Sequence, residues 1–346
     1  MFQTILLDLD GTLIDSAADI GASVNHVRNH YGLGALGRAE TDAAIGDGVR
    51  VLLEKTLLTD LRVASNPAAR DEALLLYMEH QSQHCLDQTV LYPGVAGALE
   101  KLSKKAALAV VSNKPTALCV KILQGLGMIQ YFRACVGGDT PAGRKPAPGP
   151  ALRALEALGG RVPWDTLFVG DSTADLECGR AALMATCAVS WGYRPLELLQ
   201  TLNPDFVIHQ MSELHEIVKW PEGTSNLYEV LGREKIYQLA AAFYARVRND
   251  ERIRFMFPKD FKDAIEHQAL FFIQFFGGPS EYNEKRGAPR LRMRHANFPI
   301  NSAARDAWLN NMIEASGEVE LPEPAKGIFL RYVTYTANML VNKDVQ

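Results

Sequence analysis

Two short stretches hold residues whose types and spacing suit chemistry. Near the start, "LLDLDGTLIDS" sets Asp8 and Asp10 two positions apart at the end of an apolar run. In an extended chain that spacing turns both carboxylates to one side. Gly11 and Thr12 then allow a tight turn that presents backbone N–H groups. Such a pair suits a hard divalent cation, and nucleophilic or acid–base work on an electrophile. Much later, "RLRMRHANFPI" sets His295 among Arg290, Arg292 and Arg294. An imidazole there reads as an axial metal ligand with arginines as counter-charges, or as a surface residue on an arginine-rich face.

The elements that must position the aspartates form an alternating series. Candidate strands are "QTILLDLD", "AALAVVSN", "TLFVGDS", "ATCAVSW" and "DFVIH", separated by helical spans or longer insertions. This alternation predicts a parallel sheet with helices on both faces. The stretch from Ser16 to Tyr92 is too long for one crossover helix and reads as a helical cap. Ligands of open α/β sheets bind at the carboxyl ends of the strands. The polar strand ends are therefore expected to converge there: Ser112-Asn113, and Asp171 with Asp175 one helical turn later. Lys145 joins them from the proline-flanked "RKPAPGP". Singly, each reads as a turn former or a solvated lysine; four polar clusters in this order read as one site.

That inventory predicts phosphoryl chemistry. Asp8, Asp10, Asp171 and Asp175 would hold Mg²⁺. Lys145 would neutralise a phosphate, and Thr12 and Ser112 would hydrogen-bond its oxygens, beside Asn113. Asp8 would attack phosphorus, and Asp10 would protonate the leaving alkoxide and later activate water. "DLDGTL", "SNKP", "KPAPGP" and "GDSTAD" resemble the four motifs of haloacid dehalogenase (HAD) superfamily phosphatases, and the helical insert resembles their C1-type cap. "IGDGVRVLLEKTL" and "LYPGV" are similar to the phosphoglycolate phosphatase branch. The resemblance covers 1–218 and implies a Rossmann-like core (1–15 and 93–218) with a cap at about 16–92. The "GDG" at Gly46 to Gly48 follows no strand and is not a dinucleotide fingerprint. There is no P-loop.

At "KWPEGTSN", 219–226, the composition turns to that of a linker. Beyond it helical periodicity dominates. One helix is expected to bury Ala264, Gln268, Phe271, Phe272 and Phe275, leaving His267 on the surface. A second places Ile236, Ala240, Phe243 and Val247 inward with Tyr244 at the edge. A third lines up Ala304, Trp308 and Met312. The polar tips of Tyr244, Gln268 and Trp308 either find partners in a helical core or face a cavity.

"FFGGPSEY", "RGAPRLRMRHANFPI" and "ARDAWL" resemble group II truncated haemoglobins, from Leu227 onward. The resemblance implies an all-α, two-over-two helical domain over 227–346 that binds haem b. His295 would be the proximal iron ligand and Tyr244, Gln268 and Trp308 would form the distal pocket. Phe257 would pack on the porphyrin, and Ala264 would take the usual distal-histidine position. Arg292, with Arg290 beside it, is the expected partner of the propionates. Two or three distal hydrogen bonds at roughly 0.5–1.5 kcal/mol each would slow O₂ release ten- to several-hundred-fold, favouring ligand chemistry or sensing over delivery.

The 346 residues, 47% hydrophobic and 22% charged with net charge −4, match a soluble two-domain chain. That charge gives no reason for a nucleic-acid partner, and no run reaches the ~20 apolar residues of a membrane helix. Five irregularly spaced cysteines and the lack of a basic n-region predict reduced thiols in the cytoplasm. The whole reads as a Mg²⁺-dependent phosphomonoesterase joined to an O₂-binding globin, with room for a homodimer. The alternative is a haem-based gas or redox sensor in which the globin regulates a phosphatase of other small-phosphate specificity.

Overall fold

A computed structural model describes residues 1–57 and 66–343. The chain divides into two compact units, Phe2–Val218 and Lys219–Gln346. In the first, β1 (Thr4–Leu7) is followed by β2 (Ile14–Asp15), which pairs antiparallel with β3 (Val90–Leu91) as a two-stranded stem. Between these lie α1 (Ala17–His30), α2 (Arg38–Ala44), α3 (Val49–Leu57) and α4 (Pro67–His84). Their shared core follows from helical spacing. Ile20, Val24 and Val27 on α1 meet Leu52 and Leu53 on α3 and Ala73 and Tyr77 on α4.

The chain then runs through α5 (Val95–Leu102), β4 (Ala107–Val111), α6 (Thr116–Gly125), β5 (Ala134–Val136), α7 (Gly149–Ala157), β6 (Thr166–Gly170) and α8 (Thr173–Ala181). It continues through β7 (Ala185–Val189), α9 (Leu196–Gln200), β8 (Phe206–Ile208) and α10 (Leu214–Val218). The sheet is parallel, in the order β5-β4-β1-β6-β7-β8. Its central strands are continuous apolar runs because both faces are covered. On one face Leu6, Ala109, Val111 and Phe168 pack on α7 and α8.

The register sets the site. Leu7 lies opposite both Val110 and Val169, so Asp8, Ser112 and Asp171 leave the sheet at one edge. The expected strands number five and the sheet has six. The addition, β5, is a three-residue edge strand, half-buried, too short to show a period.

The second unit contains α11 (Leu227–Leu231), α12 (Arg233–Val247), α13 (Lys262–Phe275), α14 (Glu281–Arg286) and α15 (Leu291–His295). It ends with α16 (Ser302–Glu318) and α17 (Ala325–Leu340). Helix α12 packs on α13 and α16, and α16 on α17. Ile236, Ala240, Phe243 and Val247 of α12 are fully buried. Helix α13 departs from expectation: its packed face is Ala269, Leu270, Phe272 and Ile273, while Phe275 is 42% exposed. Among the described residues no helix is long and apolar enough to cross a membrane.

Candidate functional site

Strand β1 ends at Leu7, so the two-residue period does not carry through Asp10, and the two carboxylates meet different partners. Asp8 Oδ1 lies 2.7 Å from Lys145 Nζ. That ammonium also donates to Asp175 Oδ1 at 2.6 Å and to the Val111 carbonyl at 3.0 Å, so all three of its donors are placed. Asp175 is held by the start of α8: Ser172 Oγ and N donate to its Oδ2 at 2.6 and 3.0 Å. Asp171 accepts from Tyr193 N at 2.8 Å and Thr12 Oγ1 at 3.4 Å. Two glycines make room for it. A Cβ on Gly11 (φ +87°) would fall 2.2 Å from Asp171 Oδ2, and one on Gly192 2.1 Å from its Cβ.

Asp8, Asp171 and Asp175 thus bring carboxylate oxygens within 4.8 Å of one another, all buried. Burial, and then the charge of Asp175 against the relief from Lys145, raise Asp8 to about 7. Burial, Asp175 and Asp8 push Asp171 well above the usual carboxylate range. Burial opposes the charge of Lys145, but Asp175 and Asp8 outweigh it and hold that charge firmly. Three clustered carboxylates stand beside one ammonium, which pairs with two of them; the surplus negative charge and the all-oxygen donor set fit a hard divalent cation.

The carboxylate of Asp10 stands outside this cluster. Its Oδ1 pairs with Lys114 Nζ at 3.1 Å and accepts from Ser16 Oγ at 2.5 Å. The Thr12 hydroxyl points to Asp171, and the N–H groups of Gly11 and Thr12 are used inside the turn, on the Ile14 and Leu9 carbonyls. Asn113 acts as a clamp. Its amide donates to the Gly46 and Lys145 carbonyls at 3.0 and 3.1 Å, and its Oδ1 accepts from Lys145 N at 2.9 Å. The "GDG" turn therefore brings the cap onto the end of β4. Asp8, Asp10, Ser112 and Lys114 line a small cavity of about 50 Å³ that the cap closes with Ile20, Ile45, Leu52 and Tyr77. Lys114 and Tyr193 also belong to the site. Lys114 stood in plain view within "SNKP"; Tyr193 carries no local signal.

The second unit holds a cavity of about 500 Å³, within the ~300–1,000 Å³ usual for ligand sites. Tyr244, Phe257, Ala264, Gln268, Trp308 and His295 all line it. His295 Nδ1 donates to the Leu291 carbonyl at 2.8 Å, which leaves Nε2 with a lone pair for a metal. Gln268 Oε1 is buried without a hydrogen-bond partner among the described residues, and burial pushes the Tyr244 phenol up. The apolar slot, the oriented imidazole and the unpartnered amide fit a flat iron cofactor with a polar ligand pocket. Two expectations fail. Arg292 is exposed and lines a separate depression with Ala296 and Asn297; Arg286, Arg294 and Arg305 line the slot instead. His267 also lines it, and its Nδ1 accepts from Arg286 Nη1 at 2.6 Å. Ala264, Gln268 and Phe271 face this slot while the neighbouring face of α13 makes the packed core.

The parallel sheet, the cap and the acidic end of β1 define a class: the chain belongs to the haloacid dehalogenase-like hydrolases, whose family model matches residues 5–189. A bacterial-like globin model matches residues 226–342, so a HAD-type phosphatase is joined to a globin domain in one chain. Over 217 residues it is 39% identical to the phosphoglycolate phosphatase of Aquifex aeolicus, spanning 62% of this chain and 96% of that relative. A crystal structure of a predicted phosphoglycolate phosphatase from Haemophilus somnus has a TM-score of 0.58 at 27% identity, over 63% of this chain and 98% of that one. A haemoglobin of Chloroflexus aurantiacus is 45% identical and wholly covered, over 35% of this chain, with a TM-score of 0.34.

Proposed function

We propose that the first unit hydrolyses a small phosphate monoester of the phosphoglycolate kind, and that the second holds haem b and binds O₂ or another diatomic ligand. The observation that carries the first half is the buried cluster of Asp8, Asp171 and Asp175, two of whose carboxylates, Asp8 and Asp175, pair with Lys145. Asp8, Asp171 and Asp175 would hold Mg²⁺, which supplies positive charge to phosphoryl oxygens when bound. Asp8 attacks phosphorus and the ester P–O bond breaks. Asp10, on the wall of the same cavity, gives its proton to the leaving alkoxide. Asp10 then takes a proton from water, whose oxygen attacks phosphorus; the P–O bond to Asp8 breaks, freeing phosphate and the carboxylate. Ser112 donates to a phosphoryl oxygen, and Lys145 keeps Asp8 in place.

In the second unit His295 would hold the haem iron, its ring oriented by the Leu291 carbonyl. Haem, when bound, supplies the site at which a diatomic ligand docks. Tyr244, Gln268 and Trp308 would offer hydrogen bonds to a bound ligand, and Arg286, Arg294 and Arg305, which line the slot, would supply positive charge for the propionates. The five free thiols suit a reducing, cytoplasmic setting.

One spectrum and one assay test this reading. Full-length protein expressed with ample haem should show a Soret band that His295→Ala loses. With Mg²⁺ it should release phosphate from 2-phosphoglycolate faster than from sugar phosphates or nucleotides. A colourless protein, or one that prefers the larger esters, would refute the corresponding half.

A further inference from the structure

We infer that Lys114 receives a carboxylate at the non-transferred end of the substrate, which makes the enzyme selective for phosphate esters of short hydroxy acids. This rests on the phosphomonoesterase reading above and names the group that sets its specificity. Lys114 is 8% exposed and, among the described residues lining the cavity, is the one cation. Lys145 cannot serve, because its three donors are taken by Asp8, Asp175 and the Val111 carbonyl. Lys114 Nζ pairs with Asp10 alone among the described residues, so two of its three donors remain for a ligand.

The opposite wall comes from the cap. Ile20, Ile45, Val49 and Leu52 are apolar and offer nothing to a hydroxyl-rich sugar. Tyr77, 3% exposed, adds a neutral phenol on the same wall. A second anionic group carried into such a place is costly unless it meets an opposite charge, and Lys114 supplies that charge. Size points the same way. The cavity of about 50 Å³ is lined by Asp8 and Ser112 as well and must also seat the phosphoryl group, which suits a short arm better than a sugar.

The test crosses two enzymes with two esters. Full-length wild type and Lys114→Gln, both with Mg²⁺, are assayed on 2-phosphoglycolate and on ethyl phosphate, which lacks the carboxylate. Wild type should favour 2-phosphoglycolate in kcat/KM by about 10- to 100-fold, the usual worth of a hydrogen bond to a charged group. Both rates fall in Lys114→Gln, since Asp10 loses its partner, so the ratio is the readout. It should collapse toward one, chiefly through KM for 2-phosphoglycolate. Lys114→Arg, which keeps the charge and guards against misfolding, should retain part of the preference. A wild type indifferent to the carboxylate overturns both this assignment and the substrate reading. A wild type that favours it while Lys114→Gln keeps the same ratio overturns the Lys114 assignment alone.

Discussion

Asp8, Asp171 and Asp175 crowd together with one ammonium, Lys145, paired to Asp8 and Asp175, and that imbalance governs how the metal-free protein responds to pH. The Asp8 carboxyl is raised from 3.8 to about 7, so the folded chain binds this proton more tightly than the unfolded chain. Its stabilising contribution is complete below 3.8 and is lost as pH rises through about 7. The chelated protein should therefore melt at a lower temperature at about pH 8 than at about pH 5, and added Mg²⁺ should cancel most of that difference. Equal melting temperatures in chelator at both pH values would contradict the crowding. Removing Lys145 strands two buried carboxylates; Lys145→Ala should cost about 3–5 kcal/mol in urea unfolding. Asp8→Asn keeps the shape but removes the nucleophile. Phosphate release should drop on the order of 10⁴-fold or more, with the fold intact by circular dichroism.

At the scale of elements, the start of α8 both caps the helix and holds a carboxylate. Ser172→Ala should lose about 1 kcal/mol of stability as an N-cap and also release Asp175, so kcat should fall even where the protein remains folded. A stability loss with unchanged kcat would limit Ser172 to capping. The turn after β1 has the same double character. Gly11→Ala would need a positive φ and would drive a Cβ into Asp171; phosphate release should be abolished. The strand ends that carry Asp8, Ser112 and Asp171 were legible in the sequence, because apolar β runs stop where polar residues begin. The Asp10 carboxylate has partners of its own because a period of two holds only while the chain stays extended, and β1 stops at Leu7. On α13 the periodicity was real but served two surfaces at once. A 3.6-residue period marks which residues are apolar, not whether they meet another helix or a cavity.

At the scale of the molecule, each of the two units has its own core and its own cavity. The first unit spans 96% of each of two phosphoglycolate phosphatases it matches, so a fragment of that extent should fold alone. Cutting within the segment 219–226 should leave phosphate release with one fragment and the Soret band with the other. Loss of both on cleavage would show that the units depend on each other. That two domains share this chain was written in its residue order: acidic strand ends belong to the first part, and the single arginine-flanked histidine to the second. Such features are local, set by neighbours a few positions apart. Which charges meet was decided only by packing. Lys114 rather than Lys145 faces the cavity, Asn113 ties the cap to the Lys145 loop, and Arg286, Arg294 and Arg305 replace Arg292 at the slot. These pairings span tens of residues or turn on the rotation of a short helix, and composition and period carry no information about either.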